Sequence, residues 1–90
     1  MEARIIEEER KTANGVQYYR YFDKNGVELS EGDIVRYENG RWECLYLTDG
    51  GELGVDATNR AWIESGRAVP CEYGIYPLTY DDVKEIVKIS

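Results

Sequence analysis

Apolar positions in this chain come in short alternating runs, broken by turn dipeptides. Asn14-Gly15, Asn25-Gly26, Asn39-Gly40 and Asp49-Gly50 recur every 10 to 14 residues. Asn-Gly and Asp-Gly tolerate the positive φ angles of tight hairpin turns, so the short segments between them read as strands. The expected fold is mainly β: a small barrel of about five to six strongly bent antiparallel strands. Residues 1–90 read as one domain, without an internal repeat, linker or low-complexity segment.

The pattern is sharpest over residues 33–47. A two-residue turn at Asn39-Gly40 sets Glu38 opposite Arg41 and Arg36 opposite Glu43 on one face. It sets Tyr37 opposite Trp42 and Val35 opposite Cys44 on the other. That register places both charge pairs outside and predicts a core of Val35, Tyr37, Trp42 and Tyr46, with Cys44 a small buried residue. A second hairpin about Asn14-Gly15 sets Glu9 opposite Arg20 and Lys11 opposite Tyr18. Residues 16–22 form its aromatic strand, while residues 3–11 suit either a strand or a short helix. Residues 58–66 predict a short helix, with Thr58 or Asn59 as its cap and Gly66 at its end. Residues 67–71 and 73–78 read as short strands, with Pro70 and Pro77 at ends or edges. Thr79 and Asp82 have capping-box spacing, which predicts one helical turn and then a closing strand over residues 84–89.

Composition removes most chemistry. There is no His among the 90 residues, so the commonest general base and metal ligand are both missing. Cys44 and Cys71 without His cannot form a structural zinc site in one chain, and they read as free thiols. Residues 23–33 look at first like a calcium loop, but such a loop needs oxygen ligands at positions one, three and five and glycine at six, and here Gly26 is fourth and Val27 fifth. Asp81 and Asp82 are neighbours whose side chains diverge, and no nucleophile elbow, phosphate loop or dinucleotide fingerprint is present. The expectation is a protein that is not an enzyme, with no cofactor and no metal. No apolar run approaches a membrane span, and the acidic N-terminal residues do not resemble a signal peptide; an intracellular protein is expected, with no membrane role.

The 18 acidic residues exceed the 11 basic ones, for a formal net charge of −7. Residues 31–60 hold seven acids against three bases. That balance weighs against direct nucleic-acid binding. It raises the prospect of an acidic face formed by Glu31, Asp33, Glu38, Glu43, Asp49, Glu52 and Asp56. The run Tyr18-Tyr19-Arg20-Tyr21-Phe22 offers a second candidate surface. Alternation sends Tyr18 and Phe22 to one side and Tyr19 and Tyr21 to the other. Tyr19, Arg20 and Tyr21, together with Trp62, are the candidate interaction residues, because exposed aromatics bury large area with few torsions.

The stretch Phe22-Asp23-Lys24-Asn25-Gly26-Val27-Glu28-Leu29-Ser30-Glu31-Gly32-Asp33-Ile34-Val35 resembles the D-x-N-G-x-E-(apolar)-x-E-G-D-I-V segment of the YopX family, small proteins of phages and prophages of Firmicutes. It is also similar to the loop-to-strand entry of SH3-like barrels, and residues 74–78, Tyr80 and residues 83–89 are loosely similar to the closing segment of such a barrel. The resemblance implies an SH3-like barrel with one short helix and a mobile-element origin. It implies the cytoplasm of a bacterial host, and it brings no catalytic residues. The leading functional expectation is a non-enzymatic protein-binding module with a protein partner, whose surface would serve a homo-oligomer equally well. The first alternative is an acidic inhibitor of a host nucleic-acid-handling defence enzyme, anti-CRISPR or anti-restriction, whose seven acids mimic phosphates. The second is a single-stranded nucleic-acid-binding barrel using Tyr19, Arg20, Tyr21 and Trp62.

Overall fold

Three of the turn signals adopt one geometry in the computed structural model, which describes residues 2–56 and 75–89. At Asp23–Val27, Tyr37–Arg41 and Thr48–Glu52 the first residue's carbonyl accepts the N–H of the glycine three positions on, at 2.8–3.0 Å. The first residue's own N–H donates to the carbonyl four positions on, at 2.8–2.9 Å. The glycines Gly26, Gly40 and Gly51 have φ of 79°, 92° and 81°, and no described non-glycine residue has positive φ. Each reversal is therefore a three-residue loop ending on a left-handed glycine, the G1-bulge arrangement, rather than the two-residue turn that needs positive φ at both central positions.

The strands that these loops connect are β1 (Arg4–Thr12), β2 (Gly15–Phe22), β3 (Glu28–Leu29), β4 (Ile34–Tyr37), β5 (Trp42–Leu47), β6 (Leu53–Asp56), β7 (Ile75–Pro77) and β8 (Ile86–Lys88). A one-turn helix, α1 (Tyr80–Val83), precedes β8. β1, β2 and β3 form one antiparallel sheet; β7, β6, β5, β4 and β8 form a second in that order. The mainly β, antiparallel class expected from the sequence is the one observed, with one short helix among the described residues. The capping box is also observed. Thr79 Oγ1 accepts the Asp82 N–H, and the Asp82 carboxylate accepts the Thr79 N–H at 2.9 Å. The closing strand follows as β8, within the expected span. Residues 3–11, open between helix and strand in the sequence, belong chiefly to β1. The helix expected over 58–66 and the strand over 67–71 lie outside the described residues.

The loop geometry corrects the central hairpin. With three loop residues, Ile34 pairs Cys44, Val35 pairs Glu43 and Arg36 pairs Trp42. This is one residue away from the expected register, and because side chains alternate, a one-residue slip exchanges the two faces of a strand. Leu45 is therefore 1% exposed, while Trp42 is 56% exposed. Tyr46 is exposed and Cys44 half-buried, so neither joins the expected core. Val35 and Tyr37 remain inside with Leu45, Leu53, Val55, Leu78, Val83 and Ile86. The first hairpin is corrected likewise. Thr12 pairs Gly15, so the turn is Ala13-Asn14, and Lys11 faces Val16 rather than Tyr18. A bulge between Glu7 and Arg10 then sets Ile6, not Glu9, opposite Arg20.

Asp23 joins the two sheets. Its side chain is fully buried. Oδ1 accepts the N–H groups of Asn25 and Val27 at 2.8 and 2.9 Å, and Oδ2 accepts that of Lys88 at 2.8 Å. Lys24 adds a backbone bond to the Ile86 carbonyl at 3.1 Å. The outer edge of β8 is thus covered by a side chain and a loop. Across the molecule, Tyr18 N–H donates to the Gly51 carbonyl at 2.8 Å, and Leu53 N–H donates to the Tyr21 hydroxyl at 3.2 Å. These bonds wrap both sheets around one core.

Two predictions test this arrangement. Leu45→Ala should cost about 2–5 kcal/mol by removing buried methyl groups, whereas Trp42→Ala should cost less than about 1 kcal/mol, both read from urea unfolding. The reverse order would restore the two-residue turn. Asp23→Asn keeps one acceptor for the loop but turns an amide donor toward the Lys88 N–H. A loss of about 2 kcal/mol should accompany faster hydrogen exchange at Lys88.

Candidate protein-binding face

β5 carries the most distinctive exposed side chains. Its inward positions, Glu43 and Leu45, are buried, which turns Trp42, Cys44 and Tyr46 outward. The ladder sets Arg36 and Ile34 beside Trp42 and Cys44, with Val87 beyond Arg36. On the other flank it sets Gly54 beside Tyr46 and Pro77 beyond Gly54. Gly54 has no side chain because β7 lies close: a Cβ there would strike the Tyr76 carbonyl oxygen and the Ile75 side chain. The outer face of the five-stranded sheet thus presents a row of indole, thiol and phenol, with Arg36, Ile34 and Gly54 beside them. Burial first, and then neighbouring Cys44 and Asp56, hold the Tyr46 phenol above its ordinary pKa. Tyr46 is therefore neutral at ordinary pH and able to both donate and accept a hydrogen bond.

The surface expected from the sequence lies elsewhere and is not assembled. Tyr21 is 2% exposed and belongs to the core, with Tyr19 packed against it edge to face at 6.4 Å between ring centroids. Both point inward because β2 turns Gln17, Tyr19 and Tyr21 toward the core, Gln17 and Tyr21 being buried. Arg20 lies on the opposite side, but its guanidinium is held by neighbours. Its Nε and one terminal nitrogen donate to the two Glu28 oxygens at 2.8 and 2.9 Å. The other terminal nitrogen pairs with Glu8 at 3.2 Å. Arg10 joins Glu28 at 3.1 Å, and Arg4 stacks over the Phe22 ring at 4.4 Å. The hydrogen bonds from Arg20, opposed by partial burial and aided by both arginine charges, lower the Glu28 pKa. Trp62 lies outside the described residues, as does Cys71.

The seven acids do not form one face. Glu43 and Asp56 are buried, at 4% and 1% exposure. Asp33 closes the Ser30–Asp33 turn by accepting the Ser30 N–H at 2.7 Å, and it pairs with Lys88 at 3.4 Å. Glu38 is exposed and pairs with Lys24 at 3.8 Å. Glu31 accepts a hydrogen bond from Asn14 at 2.7 Å. Asp49 is exposed and Glu52 half-buried, both in or beside the Thr48–Glu52 loop. Among the described residues no group of His, Cys, Asp and Glu is placed to hold a metal ion, and no helix is long and apolar enough to cross a membrane.

Trp42 and Tyr46 were missed as surface residues because the sequence offers two strand faces that look alike. One is Trp42, Cys44 and Tyr46; the other is Glu43, Leu45 and Leu47. The signal that separates them is the loop: Glu38-Asn39-Gly40 suits a three-residue reversal in which only glycine needs positive φ.

The burial of Tyr21 has a testable consequence. Desolvation pushes its phenol from 10.0 up to about 12, against the hydrogen bond from Leu53. The folded state then retains a proton that the unfolded chain releases, so stability falls as pH rises from about 10 to about 12. Urea midpoints measured across that window should decline less steeply for Tyr21→Phe than for the native chain.

Comparison with protein-family models, with curated proteins and with solved structures finds no match to this chain.

Proposed function

We propose that this chain is a non-enzymatic protein-binding module that engages its partner through the outer face of β5. The observation that carries this reading is the exposure of Trp42 at 56% on a strand whose other side is core. An indole left in water on a rigid sheet is a poor outcome for folding but a suitable anchor for a partner, since it buries a large area with little loss of torsional freedom. Tyr46 extends the anchor along the same strand, and Arg36 supplies a charged rim. Placing the site on a sheet rather than a loop fixes the spacing of the two rings before binding, which reduces the ordering cost.

The dispersion of the acids favours this reading over the phosphate-mimicking inhibitor. A mimic needs its charges exposed on one surface, whereas Glu43 and Asp56 are buried and Asp33 serves a turn. The single-strand-binding reading is also disfavoured, because Tyr21 is inside and Arg20 is held by Glu28 and Glu8.

Affinity capture from a bacterial lysate, with tagged native protein and a Trp42→Ala/Tyr46→Ala variant side by side, tests the proposal. A hot-spot anchor is worth about 2 kcal/mol, which corresponds to roughly thirtyfold in affinity. A specific partner should be retained by the native chain and lost from the variant, while urea unfolding shows the variant still folded. Equal retention by both proteins would remove β5 from the interface.

A further inference from the structure

The cations of this acidic chain are mostly matched, and the exception stands on the β5 face. Among the described residues, Arg10, Arg20, Lys24, Lys84 and Lys88 each pair with a carboxylate, at 2.8–3.8 Å. Arg4 and Arg41 lie over the Phe22 and Tyr37 rings. Arg36 has neither kind of partner among the described residues. Resting on the proposed binding role of β5, we infer that this face receives an acidic segment of the protein partner, with a carboxylate on Arg36 and an adjoining apolar side chain on Trp42.

The sheet places guanidinium and indole together. β4 buries Val35 and Tyr37, which turns Ile34 and Arg36 outward. The ladder sets Arg36 directly across from Trp42, and directly opposed side chains stand about 5 Å apart at Cβ. The other flank of Arg36 is Val87, which carries no charge. Of the other charged residues in the five strands of this sheet, Glu43 and Asp56 are buried and Lys88 is held by Asp33. The exposed, unmatched charge of the sheet is therefore a single positive one, in a chain whose net charge is −7.

That combination selects the occupant. A guanidinium takes a carboxylate through two parallel hydrogen bonds, and the indole beside it favours an apolar contact. A basic segment would meet Arg36 as a like charge. A nucleic-acid strand would bring a dense row of phosphates to a chain that is already acidic, with one guanidinium to receive them. A second unmatched cation, Lys11, lines the cleft of about 600 Å³ that opens beside Tyr46. The carboxylate of that cleft, Glu31, has Oε2 on Asn14 and Oε1 buried. Tyr46 lies four residues beyond Trp42, about 13 Å along the strand. An extended acidic segment that follows β5 thus meets Arg36 at one end and passes Lys11 at the other.

The test uses the intact chain and three blocked hexapeptides in which leucine alternates with glutamate, glutamine or lysine, together with a short oligothymidylate. Each is titrated while backbone amide and Trp42 indole signals are followed by NMR. The glutamate peptide should shift the Arg36, Trp42 and Tyr46 signals, and the glutamine peptide should bind about fivefold more weakly. Arg36→Gln should remove that difference, and Arg36→Glu should invert it in favour of the lysine peptide, with the rest of the spectrum unchanged in both variants. Equal binding of the glutamate and glutamine peptides would overturn the inference, as would tighter binding of the oligothymidylate or no shift from the glutamate peptide. Concentration-dependent shifts of the same signals before any probe is added would overturn it too, by assigning the face to a second copy of the chain. These outcomes are separate from the capture experiment: loss of the partner on Trp42→Ala/Tyr46→Ala, with no preference for the glutamate peptide, would leave the binding face in place and remove only its acidic specificity.

Discussion

The carboxylate of Asp23 is the interaction on which the rest of the architecture depends. It is a fully buried charge whose two oxygens are satisfied by three backbone N–H groups. Two of those groups lie in its own loop and the third in β8, 65 residues away along the chain. One side chain therefore sets the β2–β3 reversal and fastens the final strand to it. Charge-assisted bonds of this kind are among the strong ones, and removing the acceptor would leave buried donors unpaired. The covered edge of β8 also fixes where α1 lies, because Val83 and Ile86 enter the core on either side of the Lys84–Glu85 link.

The second constraint is the glycine at the end of each three-residue loop. Loops at Asp23–Val27, Tyr37–Arg41 and Thr48–Glu52 share one hydrogen-bond pattern, so the registers of β2 with β3, β4 with β5 and β5 with β6 are set by the same local rule. The middle loop has the largest consequence for the surface. It decides that Leu45 rather than Trp42 faces the core, and so it creates the aromatic outer face. A single residue of loop length thus converts what reads as core into exposed surface.

The acidic excess serves the fold at several points. Asp23, Asp33 and Asp82 each accept backbone N–H groups at a reversal or a helix cap, and Glu28 gathers Arg10 and Arg20. Aspartate is suited to the first task because its short side chain reaches N–H groups two to four residues away. The acids between Glu31 and Asp56 do not form one exposed face, since Glu43 and Asp56 are buried and Asp33 serves a turn.

Much of this fold was legible from residue order alone. The β class followed from turn dipeptides and alternation, which act over a few residues. The Thr79–Asp82 cap and the closing strand were readable for the same reason. The resemblance over residues 22–35 coincides with the two Asp-centred reversals, at Asp23 and Asp33, so what that segment encodes is turn chemistry. The faces of β5 were not legible, because Trp42, Cys44 and Tyr46 and their neighbours Glu43, Leu45 and Leu47 alternate equally well; only the loop geometry separates them. Nor could the sequence show that Tyr21 lies within the core or that Arg20 is held by Glu28, since both depend on which side of β2 the second sheet covers. Sequence by itself determined the local elements, whose hydrogen bonds close within a few residues. Tertiary structure decided which strand faces are covered, because exposure is a property of what packs against a strand and not of the strand.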